Sequence, residues 1–265
     1  MTGLFLPPAT APASPLRVVD PRVKILTVVV LSVLIIQAAA GDIIFISLFL
    51  GLLIRLSGAS PREIGRALKP IAVFTALLFL LHLFFTPGRA LFFIPGLKVS
   101  ISREGLTEGA LVAWRFGALV TAGALLTITT PPSELVAALE KLLRPLRALR
   151  IPVQDLAIMA AMALRFTPTF LEEYHRMKAA RLARGGGLPG ESLPRRLRTA
   201  MHLGAAIILS AFRRAEDLAA AMEARGYARG PRTSLREMKL RRGDYTAAAV
   251  MVSFTGLIIA VRLLM

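Results

Sequence analysis

Residues 23–56 read VKILTVVVLSVLIIQAAAGDIIFISLFLGLLIRL, with Asp42 the only ionisable side chain between Lys24 and Arg55. A helix that crosses a bilayer needs about 20 mostly apolar residues. The run is therefore too long for one span and long enough for two short ones, broken at AAAGD, where Gly41 and Asp42 supply a turn. The same criterion places further spans at 69–85 (KPIAVFTALLFLLHLFF), at 106–130 and at 245–265. The expected spans of the first part are thus about 23–39, 42–56, 69–85 and 106–130. The intervening TPGRALFFIPGLKVSISREG, 86–105, is rich in Pro and Gly, alternates at LKVSIS, and reads as a loop outside the membrane carrying a short hairpin.

Composition agrees with this reading. Mean hydropathy is +0.64, too apolar for an ordinary soluble domain. The absence of cysteine excludes disulfides, thiolate metal sites and a cysteine nucleophile. The net charge of +17 would suggest nucleic acid in a soluble protein. No nucleic-acid-binding module accompanies it, and basic residues on the cytoplasmic side of a membrane protein explain it better.

Residues 131–243 have a different texture and hold 21 of the 33 Lys and Arg. By the positive-inside rule this block, the connector 55–69 and the N-terminus are cytoplasmic. In PPSELVAALEKLLRPLRALR the leucines at 135, 139, 142, 143 and 146 share one helical face, with Thr130 placed to cap the start and Pro131 at the first helical position. The apolar patches 156–164 and 203–212 are each interrupted by Arg before reaching span length, and read as faces of long cytoplasmic helices. Four prolines before Arg17 argue against a regular helix there, and nothing at the start has the basic-then-apolar pattern of a secretory signal. The expectation is an all-α integral membrane protein of about five transmembrane helices. It divides into a flexible leader (1–19), a membrane portion (20–130), a cytoplasmic coupling-helix domain (131–243) inserted before the last span, and a final transmembrane helix (244–265).

Chemistry-bearing motifs are sparse. No phosphate-cradling G-x-x-x-x-G-K-[ST] occurs, and GGGLPGES reads as a helix-to-helix linker. His82, His175 and His202 lack metal-ligand spacing. No nucleophile motif appears, so no catalytic residue, cofactor or metal is expected. His82, inside a span, reads as a hydrogen bonder between helices. Arg115 in the fourth span must face protein or water, with Glu108 seven residues earlier as a structural partner and another subunit as the alternative. Six of the nine methionines lie in 131–243, as packing or as a deformable contact surface.

One motif is written twice: Ala183-Arg184-Gly185 and Ala224-Arg225-Gly226. Gly after a helix is a usual C-cap, and Arg in the last turn complements the helix dipole. Two such ends in one basic block also offer two guanidinium forks suited to carboxylates on a partner. Crossing the two helices would bring both arginines near one surface.

The chain resembles the transmembrane T component (EcfT, or CbiQ-like) of energy-coupling factor transporters over roughly residues 18 to 260. The resemblance rests on Asp20-Pro21-Arg22 with Lys24 before the first span, on Pro145, Pro152, Arg165, Phe166 and Pro168, and on the paired Ala-Arg-Gly. It implies a scaffold subunit of an importer for vitamins or transition-metal ions, without ATPase activity of its own. The implied partners are two ABC-type ATPases, contacted by the two Arg motifs, and a small membrane S component that binds the substrate. Pro168 would kink the first long helix. A conventional ABC permease, a membrane enzyme such as a lipid transferase, and an assembly scaffold with no transport role are the competing readings.

Overall fold

A computed structural model describes residues 14–94, 99–149, 152–185, 192–227 and 240–264. The chain is an all-α membrane protein, with one two-stranded hairpin among the described residues. It forms two compact units, Met1–Leu142 with Met238–Met265, and Leu143–Glu237; the Gly-rich linker reading falls mostly outside the described residues.

The first unit opens with α1 (Pro15–Val18), a single helical turn where the prolines had argued against one; Pro15 at the first helical position costs no hydrogen bond. Helix α2 (Pro21–Ile36) starts on Asp20, whose side chain accepts from the Arg22 N–H at 2.9 Å. Helix α3 (Asp42–Ser57) stops at Gly58, which takes the left-handed conformation at φ 64°. Helix α4 (Pro61–Phe85) begins with a capping box: the Glu63 N–H donates to Ser60 Oγ and the Ser60 N–H to Glu63 Oε2. Strands β1 (Ala90–Ile94) and β2 (Val99–Ser102) pair antiparallel as the expected hairpin. Helix α5 (Arg103–Thr129) starts at once after it, capped by Ser102 Oγ on the Gly105 N–H. Helix α6 (Pro132–Leu142) begins one residue later than expected; the Thr130 hydroxyl accepts from Lys24, and the Pro131 carbonyl accepts from the Glu134 and Leu135 N–H groups. Helix α9 (Arg242–Leu264) completes the unit.

Among the described residues three helices are long and apolar enough to cross a membrane: α4, α5 and α9. Helices α2 and α3 have 16 residues each, about 24 Å at helical rise against a hydrocarbon core of about 30 Å. Their apolar residues run all round rather than along one stripe, the pattern of helices buried in protein or lipid on every side. The core is shared by α2 (Leu31, Leu34, Ile35), α3 (Ile46, Phe49, Leu50), α5 (Ala118, Ala122, Leu125) and α9 (Met251, Ile258).

Helix α4 contributes almost nothing to that core and lies instead along α5. The contact runs through Gly105 and Gly109, a G-x-x-x-G pair that lets two backbones approach. A Cβ on Gly105 would lie 2.6 Å from the His82 carbonyl oxygen, and one on Gly109 would lie 3.1 Å from the Phe79 ring. His82 itself bonds within its own helix, Nδ1 to the Leu78 carbonyl at 3.0 Å, and among the described residues makes no hydrogen bond to a neighbouring helix.

The second unit holds a 3-10 segment (Arg144–Leu149) and two long helices, α7 (Val153–Ala183) and α8 (Leu193–Ala224). Neither is apolar enough for a span despite lengths of 31 and 32 residues. They run antiparallel where they touch. Arg181 near the end of α7 donates to Thr199 near the start of α8, while Arg214 pairs with Glu173 at 3.5 Å and sits 5.7 Å from the Phe170 ring centre.

Replacing Gly105 with Ala forces a backbone shift between α4 and α5 and is expected to cost about 1–3 kcal/mol. Gly65→Ala, in open space on α4, is expected to be neutral or stabilising. Thermal unfolding of both variants in one detergent checks the contrast.

Candidate functional site

The sequence singled out two groups of residues, and each falls within one unit. The first gathers at the start of α2. Lys24 is 7 % exposed. Its ammonium donates to the Thr129 carbonyl (3.2 Å), the Thr130 hydroxyl (3.3 Å) and the Arg17 carbonyl (3.4 Å). Two of these acceptors lie at the C-terminal ends of α5 and α1, where carbonyls have no intrahelical donor and the dipole favours a cation. Lys24 thus satisfies two helix ends with one side chain.

Asp20, 7 % exposed, is the partner node. Its side chain caps α2 and lies 3.7 Å from the Arg22 guanidinium. Its own N–H donates to Asp244 Oδ1 at 2.6 Å, and Asp244 Oδ2 accepts from the Arg241 N–H at 2.6 Å. Asp244 therefore opens α9 and ties it to the start of α2. Pro21 fits the first helical position, where its missing donor is no loss. The Asp-Pro-Arg-x-Lys motif is where α1, α2, α5 and α9 are pinned together.

A second set of clamps closes the other end of α2. Arg115 Nη2 donates to the Ala38 carbonyl at 2.7 Å. Among the described residues no ion pair joins it to Glu108, so the side-chain pairing expected from sequence gives way to a backbone acceptor on the α2–α3 turn. Arg262 meets Asp42 at 2.8 Å and also reaches Gln37 Oε1. Asp42, 3 % exposed, takes the Ala39 N–H as well. Fourteen residues separate Lys24 from Ala38, two residues past the end of α2, and fourteen separate Arg115 from Thr129 within α5, about 20 Å in each case. The two antiparallel helices are fastened at matching heights.

The second group is the pair of helix ends. Arg184 and Arg225 are the C-cap residues of α7 and α8. Gly185 and Gly226 follow with φ of 79° and 73°, in the left-handed region that costs an ordinary residue about 1–2 kcal/mol. Gly226 N–H bonds to the Glu223 carbonyl and Tyr227 N–H to the Met222 carbonyl, a Schellman motif. Gly185 N–H makes the equivalent bond to Leu182. Ala183 and Ala224 are the last helical residues. Both arginines are exposed, and among the described residues neither guanidinium has a hydrogen bond or ion pair.

The two ends are not side by side. Arg184 lies eleven residues past Glu173, and Arg225 eleven past Arg214 in the opposite direction. At helical rise they point away from each other across roughly 30 Å. Pro145 lies in the 3-10 segment and Pro152 precedes α7, so the two prolines set the approach to the long helices. Arg165 is exposed, Phe166 packs near Phe170 (6.3 Å), and α7 continues through Pro168. Apolar side chains stand exposed along both helices, among them Met159 at 64 %, Met201 at 67 % and Phe212 at 65 %.

A family described as CbiQ, cobalt transport protein, matches residues 12–235. The chain belongs to the CbiQ/EcfT family. Curated relatives named energy-coupling factor transporter transmembrane protein EcfT cover nearly all of it. That of Thermanaerovibrio acidaminovorans is 39% identical over 92% of this chain and 91% of its own length. That of Brevibacillus brevis is 37% identical over 88% of each, and that of Limosilactobacillus fermentum 35% over 95% of each. The family is one of transporter membrane components.

Within this family member, sequence reasoning missed Asp244, the Asp42–Arg262 pair and the Gly105/Gly109 spacing. Each had a signal: charges at the ends of apolar runs, and a G-x-x-x-G at the head of a span. Lys24→Met removes the donor to three oxygens and is expected to cost about 1–3 kcal/mol. Lys69→Met, at an exposed position, is expected to change stability by less than about 0.5 kcal/mol. Chemical unfolding in detergent compares them.

Proposed function

We propose that this chain is the transmembrane coupling subunit of an energy-coupling factor importer. It joins two ABC-type ATPases to a small membrane S component that binds a vitamin or a transition-metal ion. The chain supplies no ATP-binding motif of its own; the partner ATPases energise it. The observation that carries the reading is the pair of helix ends: two left-handed Gly terminations, each preceded by an exposed arginine with no hydrogen bond or ion pair among the described residues, at opposite ends of one antiparallel helix pair. Each end suits one ATPase, a guanidinium fork donating to partner carboxylates and the glycine leaving room for partner backbone. Closure of the ATPase pair on ATP would move the two ends, and α7 and α8 would transmit that motion toward the S component.

The relatives' names support the transporter assignment, and the exposed apolar faces of α7 and α8 support a partner-covered location. In this reading residues 131–243 and the N-terminus are cytoplasmic in the cell membrane.

Tagged wild type purified in detergent is expected to bring two ATPases and a small membrane protein, identified by mass spectrometry. Arg184→Glu and Arg225→Glu should each weaken ATPase recovery at least tenfold, and the double variant should abolish it while membrane insertion persists. Undiminished ATPase recovery in the double variant would reduce both arginines to helix caps. Orientation has its own test, since the chain has no cysteine. In intact cells a membrane-impermeant maleimide should label Pro87→Cys and spare Glu223→Cys until the cells are opened; the reverse pattern would overturn the topology.

A further inference from the structure

The two long helices of the second unit are built differently. Helix α8 carries its one proline, Pro194, in its first turn, where an N–H would have no partner within the helix. Helix α7 carries Pro168 at its middle, fifteen residues from Val153 and fifteen from Ala183. A proline there cannot donate to the carbonyl four residues back, that of Leu164, and its ring crowds that carbonyl. The neighbouring carbonyl is altered too: the Thr167 hydroxyl donates to Ala163 O at 2.7 Å, a side-chain bond of the kind that bends helices. Two adjacent rungs of the ladder are thus changed at one point, and a helix bends where its ladder is interrupted.

The polar fastenings to α8 lie on one side of that point. Arg214 of α8 pairs with Glu173 at 3.5 Å and sits 5.7 Å from the Phe170 ring centre, and Arg181 donates to Thr199. All three partners on α7 follow Pro168. Among the described residues no hydrogen bond, ion pair or cation–π contact joins Leu156–Thr167 to α8. Leu156 and Met159 stand exposed in that stretch. Both arginine ends fall on the fastened side: Arg184 closes the half of α7 that Arg214 and Thr199 hold, and Arg225 closes α8 itself.

We propose that Pro168 is a joint. Residues 153–167 form a lever that swings against a stiffer piece made of 169–183 and α8. A bend of about 20° at the joint moves Met159, nine residues away and about 13 Å along the helix, by about 5 Å. Under the coupling-subunit reading, on which this consequence alone rests, partners holding Arg184 and Arg225 grip the stiffer piece, and the lever is the part left free to move.

The joint is tested on the full chain in nanodiscs without partners, so it and the coupling reading can fail separately. The chain has no cysteine, so spin labels attach only where cysteines are introduced. Met159→Cys/Asp217→Cys reports the lever against α8, and Lys178→Cys/Met201→Cys reports the fastened half against α8; all four positions are exposed. Pulsed electron double resonance is expected to give a narrow distance distribution for the second pair and one broader by about 5 Å for the first. Pro168→Ala restores the missing donor and should narrow the first distribution to the width of the second. Pro168→Leu should do the same. Equal widths for the two pairs in the otherwise wild-type chain would overturn the joint, as would a broad first distribution that neither substitution narrows.

Discussion

The membrane unit depends on a buried ammonium. A lysine in a span is costly unless its charge is met, and Lys24 is met by the ends of two helices and a hydroxyl. That arrangement converts a liability into a fastening. The carbonyls it takes would otherwise lack donors, because the last turn of any helix leaves them unsatisfied. Beside it, the Asp20–Asp244 contact closes the N-terminal ends of α2 and α9 by the same logic. The apolar core can only assemble in register once these polar ends are paired, since lipid offers no water to pair them instead.

The helices differ in how they are held. Helices α2, α3, α5 and α9 share a common core, and charge-assisted bonds fasten α2 to α5 and α9 near both ends of α2 and α3 to α9 at Asp42. Helix α4 is joined to α5 by close backbone approach at two glycines and by the edge-on Phe74–Phe116 ring pair. Contact at the glycines is short-ranged and sensitive to a single added methyl. The second unit is held differently again, by a few polar and cation–π contacts between two long helices whose apolar faces stand open.

Much of this was legible in the residues. Apolar run length gave the membrane class and the placement of α4, α5 and α9, because hydropathy over about 20 residues is a direct physical requirement. The repeated Ala-Arg-Gly was legible as two helix ends, because only glycine takes left-handed backbone freely. Partner choice was not. Arg115 was expected to look along its own helix to Glu108, since spacing within a helix is all a sequence displays; its acceptor, the Ala38 carbonyl, is brought near only by the α2–α5 pairing. Thr130 was expected to cap α6; the helix instead starts after Pro131, and the Thr130 hydroxyl accepts from Lys24, a partner on another helix. The separation of Arg184 from Arg225 was also hidden, because it follows from the antiparallel sense of α7 and α8 and not from either motif.

The equal fourteen-residue intervals between the clamps on α2 and α5 have a mechanical meaning. Two helices fastened at one point can slide or pivot; fastened at two points the same distance apart on each, they can do neither without breaking a bond at both ends. A slip of one residue would misalign Lys24 from Thr129 and Arg115 from Ala38 together. The pair is therefore a strut of fixed length, and any movement of the membrane unit must be sought in the elements that lean on it.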